Sequence, residues 1–172
     1  MDQRLDAASS RTRTVTWDDP LASAKAGAKL SGIEYLRAMA NGTIPMPPLA
    51  ALLGFDFDEV SEGRVVFSMM PGEHHYNPIG VVHGGVAATV LDSAMGCAVQ
   101  STQPRGRGYS TLELKVNLVR ALTADSGRVH AIGTVIHVGR QTATAEGRLV
   151  DAKGKLYAHS TTTCILLDNK QD

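Results

Sequence analysis

Two cysteines, eight aromatic residues and no excess of either charge leave this 172-residue chain without several common functional signatures. Cys97 and Cys164 both lie in apolar stretches. They read as small buried hydrophobes rather than as a disulfide framework. Lys and Arg number 17, as do Asp and Glu, so no basic run invites nucleic acid. Little net repulsion holds copies of the chain apart, and self-association is expected. No apolar run reaches the ~18 residues that span a bilayer. The opening MDQRLDAASSRTRTVTWDD has no apolar core of a secretory signal. A cytoplasmic protein with no membrane or nucleic-acid partner is the expectation. So few aromatic rings give no reason to single out an aryl ligand.

What is present suits one globular domain, with 43% hydrophobic and 20% charged residues. Residues 1 to about 28 are polar and aperiodic and are expected to be partly disordered or draped on a neighbour. SGIEYLRAMANG, from Ser31, predicts a short amphipathic helix capped by Ser31 and ended by Gly42. Pro48 is placed to open a second, PLAALLGF. DFDEVSEG and RVVFSMMP predict two strands, and a helix follows over about 83–101. Four strand-like runs complete the chain, separated by turn signals at 124–127, 139–140 and 151–154. In the first of them Leu112, Leu114, Val116 and Leu118 alternate with Glu113, Lys115 and Asn117, the period of a half-buried antiparallel strand. The order β-β-α-β-β-β-β gives an α+β domain in which an antiparallel sheet covers one central helix.

That helix, GGVAATVLDSAMGCAVQS, is apolar almost all round, yet it carries Asp92. At 100° per residue, Gly85 and Gly96 fall within about 40° of it, with Ala88 and Thr89 nearby. The carboxylate thus occupies a strip of small residues that a backbone or ligand can approach. An unpartnered charge in a dry interior costs several kcal/mol, and each helical glycine about 1 kcal/mol relative to alanine. Local stability does not select such a strip. The bland alternative is a solvent-facing Asp at a sheet edge.

The residues upstream favour chemistry. YNPIGVVHGG delivers a helix N-terminus, whose first amides lack intrahelical partners and carry the positive end of the dipole. With no side chain at Gly84, a carbonyl oxygen can reach that amide, as in an oxyanion hole. A carboxylate and a carbonyl-polarising amide suffice to hydrolyse an activated acyl group. Eight residues of one helix, however, separate Gly84 from Asp92 by about 12 Å. Either the two serve different purposes, or Gly84 of one chain faces Asp92 of another across a two-fold axis.

Asn77, His83-Gly84-Gly85 and Asp92, with STLELKVNLVRAL and HVGRQTATAEGRLVDAKGKLYAHSTTTCIL downstream, resemble the hotdog-fold acyl-CoA thioesterases. The nearest group is the phenylacetate-degradation, PaaI-type, thioesterases. The resemblance covers about residues 45–168. It implies residues 1–44 as an N-terminal extension with a short helix and 45–170 as a hotdog domain, an antiparallel sheet wrapped around one long helix. It also implies a homodimer or homotetramer with sites between subunits. Acyl-CoA would be the substrate, and no cofactor is implied beyond the coenzyme A it carries. Asp92 then matches the catalytic carboxylate, a general base or a nucleophile. Gly84 matches the polarising amide, Asn77 its assistant and His83 the residue orienting the loop. Thr111 falls where relatives position the water, or Ser110 if the register slips by one. Gly85 shares the helix start with Gly84. Asn117 and Arg120 lie near the pantetheine arm, and Arg105, Arg107 and Arg140 are candidates for the nucleotide phosphates. Aryl, hydroxyarylacetyl and medium-chain acyl groups all remain open.

His74 and His75 invite a metal reading, but adjacent loop histidines without an i,i+4 partner make a poor site, and no metal is expected. PRGRG lacks the strand-to-helix frame of a nucleotide fingerprint. A non-catalytic acyl-CoA-binding or regulatory hotdog module is the competing reading, although residues 1–44 contain no DNA-binding motif and Asp92 argues against a dead site. A hydratase would need an Asp-to-His spacing that is absent.

Overall fold

The structure is a computed structural model that describes residues 11–168. Its elements are α1 (Pro20–Gly27), α2 (Gly32–Ala40), α3 (Pro48–Leu53), β1 (Phe55–Ser61), β2 (Arg64–Met69), α4 (Gly84–Ser101), β3 (Arg107–Leu118), β4 (Val129–Val138), β5 (Thr142–Asp151) and β6 (Leu156–Asp168). The six strands form one antiparallel sheet in the order β1-β2-β4-β5-β6-β3. It wraps α4 as the α+β pattern predicts, and it leaves β3 at an edge.

α4 is held by burial on nearly every side. Val90, Leu91, Ala94, Met95, Ala98 and Val99 are wholly buried. Removing the larger of them from water stabilises the fold by roughly 1.5–3 kcal/mol each. Close approach to the sheet depends on Gly133 and Gly147, which face each other across β4 and β5. A Cβ at Gly133 would run into the Ala94 backbone, and one at Gly147 would lie 3.1 Å from Leu91 and Met95 side-chain atoms.

Two of the expected short helices form as the sequence predicts. Ser31 and Glu34 build a full capping box at the start of α2, and Pro48 opens α3. Leu36, Met39 and Ile44 join the same core as α4. Within the stretch expected to be irregular, Pro20–Gly27 instead forms α1. Asp19 caps it by accepting from the Leu21 N–H at 2.9 Å, and Pro20 supplies a preset first turn. Ahead of α1, Arg13 is tied to the chain's own α3, its guanidinium donating to the Leu52 and Ala51 carbonyls at 2.7 and 3.0 Å. The rest of the stretch predicted to be partly disordered, residues 1–10, lies outside the described residues.

Strand β3 departs from simple alternation. Its register with β6 shifts between Thr111 and Glu113, leaving Leu112 as a bulge. Before the bulge Thr111 pairs with buried Cys164; after it Leu114 and Val116 pair with buried Thr162 and Ser160. Thr111, Leu114 and Val116 therefore all face α4. Leu112 falls out of the predicted series and is 59% exposed.

Candidate active site

The bulge matters because it aims Thr111 at the helix. Its hydroxyl donates to Asp92 Oδ1 at 3.0 Å. Of the two registers open from sequence, the contact falls on Thr111, while Ser110 is exposed. Asp92 is half-buried, and the strip of small residues beside it is occupied one turn later. The ring of Tyr109 lies where a Cβ on Gly96 would be. Sequence reasoning missed Tyr109, although it stands two strand positions before Thr111 and so shares its face.

The carboxylate sits among groups that stay neutral. Burial pushes the Cys97 thiol up to about 12, with the Asp92 charge adding to it. Burial likewise carries the Tyr109 hydroxyl well above its usual value, with Cys97, Asp92 and Cys164 contributing. The Cys164 thiol is also raised, chiefly by burial. Neither cysteine is a thiolate nucleophile at neutral pH.

At the start of α4 the amides are used selectively. His83 caps the helix: its Nδ1 accepts from the Gly85 N–H at 2.9 Å, and its carbonyl accepts from the Val86 N–H at 2.9 Å. The ring proton of neutral His83 is thereby on Nε2. A Cβ on Gly85 would lie 2.9 Å from that Nδ1, which is what Gly85 contributes. The Gly84 N–H has no hydrogen-bond partner among the described residues. It borders a cavity of about 310 Å³ that also involves Asn77, Leu118, Arg120 and Tyr157. The space left by the missing Gly84 side chain is not empty, since a Cβ there would be 2.5 Å from Leu118 Cδ1. Asn77 holds the loop with its side-chain oxygen, accepting from Ile79 and Val81 N–H at 3.1 and 3.3 Å.

The remaining expected contacts divide. Arg120 borders the Gly84 cavity, and its Nε donates to the Leu156 carbonyl at 3.3 Å. Asn117 does not reach that cavity. It pairs with exposed His159 between the inward pairs of Val116 and Leu118, so it stands on the sheet face turned away from α4. Arg105, Arg107 and Arg140 gather beyond the opposite end of α4 from Gly84. Arg105 and Arg140 are exposed, but Arg107 is engaged with the Arg140 carbonyl and with Asp168 at 3.4 Å. These contacts tie Arg107 to neighbouring strand ends.

His75 has a structural task. It is buried, with Nε2–H donating to the Leu53 carbonyl at 3.0 Å and Nδ1 accepting from the Gly72 N–H at 3.1 Å. Among the described residues, no cluster of three His, Cys, Asp or Glu side chains could hold a metal ion. No helix among them is long and apolar enough to cross a membrane.

Residues 79–158, from the loop before α4 to the middle of β6, match the model of the thioesterase superfamily. Human acyl-coenzyme A thioesterase 13 is 32% identical over 105 residues, 59% of this chain and 71% of that one. The chain belongs to the thioesterase superfamily. This thioesterase is also 27% identical over 116 residues to the 1,4-dihydroxy-2-naphthoyl-CoA hydrolase of Listeria monocytogenes, covering 67% of this chain and 92% of its relative. Its fold is the hotdog fold of the PaaI protein from the Escherichia coli phenylacetic acid degradation operon. The two superpose with a TM-score of 0.70 at 23% identity, over 81% of this chain and 97% of that one. By family the chain is a thioester hydrolase.

Proposed function

We propose that this thioesterase hydrolyses acyl-CoA esters to free acid and coenzyme A at a site shared by two copies of the chain. The observation that carries this is a division of labour along α4. Asp92 is oriented by Thr111 at its middle, and at its start the Gly84 N–H alone of the first three amides has no partner among the described residues. The two lie about 12 Å apart along one helix, too far for a single carbonyl group. A second copy, with its helix antiparallel, brings Gly84 of one to Asp92 of the other. The free edge of β3 supports such pairing, because Leu112, Leu118 and Val119 are at least half exposed there. A dimer is the minimal unit of this reading, and a dimer of dimers is compatible with it.

Thr111 donates to one carboxylate oxygen, leaving the other for water. Asp92 takes a proton from that water, whose oxygen attacks the thioester carbonyl. The Gly84 N–H of the second copy holds the oxyanion. Collapse breaks the carbon–sulfur bond, and the coenzyme A thiolate leaves and is protonated. Asn77 and Arg120 border the channel for the pantetheine arm, and exposed Arg105 and Arg140 are the cations assigned to its phosphates. The similarity to an acyl-coenzyme A thioesterase and to a 1,4-dihydroxy-2-naphthoyl-CoA hydrolase supports the substrate class.

Thiol release from a set of acyl-CoAs tests the proposal. Asp92→Asn is expected to lose at least about 100-fold in kcat, the scale of one acid–base group. Tight binding of acyl-CoA by wild type without turnover would favour a binding module instead.

A further inference from the structure

A second cavity, of about 500 Å³, begins where the strip beside Asp92 ends. Tyr109 and Cys97 form one side of it; Tyr35, Leu36 and Met39 from α2 and Ala24 from α1 form the other. The far wall thus comes from residues that precede both the matched span, 79–158, and the segment carrying the family resemblance. Its volume lies in the range of small-molecule sites.

The wall has a built shape. The Tyr109 ring rests on Gly96, and the Tyr35 ring rests on Gly27, each filling the place a Cβ would take. Neither phenol hydroxyl has a hydrogen-bond partner among the described residues, and neither is sealed from the cavity, so both are free to meet a ligand. Burial raises both hydroxyls above their ordinary values, with Cys97 adding to each, so both are neutral donors at neutral pH. Asp92 is close enough for its charge to act on Cys97 and Tyr109. The cavity adjoins the candidate carboxylate through Tyr109, which shares the inward face of β3 with Thr111 and covers Gly96, one turn beyond Asp92.

We propose that this cavity receives the acyl group of the thioester, that the α1–α2 segment sets the acyl size, and that the Tyr35 and Tyr109 hydroxyls meet a hydrogen-bond acceptor on it. This rests on the acyl-CoA reading above. The occupant is an apolar acyl group of aryl or medium-chain size with an oxygen at its far end.

The test uses the full chain and kcat/KM for acetyl-, octanoyl-, phenylacetyl- and 4-hydroxyphenylacetyl-CoA. Ala24 is an exposed helical residue bordering the cavity, so Ala24→Phe narrows it without touching the core. Ala24→Phe is expected to lower kcat/KM for the three larger esters at least tenfold more than for acetyl-CoA. Tyr35→Phe is expected to lower it for the hydroxylated ester at least threefold more than for phenylacetyl-CoA. Ala28→Phe on the same wall repeats the size test if Ala24→Phe loses its native circular dichroism. Folded Phe variants with the wild-type acyl profile overturn the inference and leave the acyl-CoA reading standing. Wild-type protein that releases thiol from none of these esters overturns both.

Discussion

Thr111 on edge strand β3 donates its hydroxyl to Asp92 in the middle of α4 across 3.0 Å. The bond ties the candidate carboxylate to the strand along which a second copy is proposed to pair. It depends on the bulge at Leu112, which sets Thr111 and Leu114 on the same face.

Removing that donor tests its role separately from that of the carboxylate. A hydrogen bond to a charged group is worth about 1.5–3 kcal/mol, so Thr111→Val is expected to lower kcat by about tenfold or more. Thr111→Ser keeps the hydroxyl and is expected to stay within about threefold of wild type. Steady-state kinetics on one acyl-CoA, with melting temperatures to confirm folding, decide it. Equal losses in both variants would mean that packing, not the hydrogen bond, is what Thr111 supplies.

His75 gives the fold a pH dependence of definite sign. Burial, then the neighbouring His74, lowers its pKa below the ordinary 6.5, outweighing the Leu53 hydrogen bond, with Arg13 a smaller cause in the same direction. The unfolded chain therefore binds the proton more readily than the folded one. The stability contributed by neutral His75 is present above about pH 6.5 and is lost as the pH falls through the lower folded value. Urea unfolding midpoints should drop between about pH 7 and 5, and less steeply in His75→Gln. Equal slopes would remove His75 as the source.

The succession of strands along the chain and the central helix were legible because burial imposes a period, 2 or 3.6, that side chains must follow; the order of strands within the sheet was not read from it. Asp92 and the His83-Gly84-Gly85 start were legible for the opposite reason: they break that pattern at a cost. The bulge was not legible. Leu112 continues the alternation of Leu114 and Val116 perfectly, and only the β6 partner reveals that it does not share their face. Local alternation places Asn117 on the face turned from α4 but does not say what that face borders. α1 carried its signal in Asp19-Pro20, but its mostly exposed residues lack an apolar stripe. The use of Arg107 depends on Asp168 and the Arg140 carbonyl, brought together only by the sheet.

Subunit mixing measures the central claim directly. Gly84→Pro removes the N–H at the first position of α4, where proline suits a helix and follows the extended backbone of His83, and its ring displaces the tip of the exposed Leu118 side chain. Asp92→Asn and Gly84→Pro homodimers should each be nearly inactive. Mixing them equally makes about half the dimers heterodimeric, each with one intact Asp92–Gly84 pair, and restores up to about a quarter of wild-type activity. Heterodimers that form, as shown by two affinity tags, yet hydrolyse no acyl-CoA would contradict a site shared between subunits.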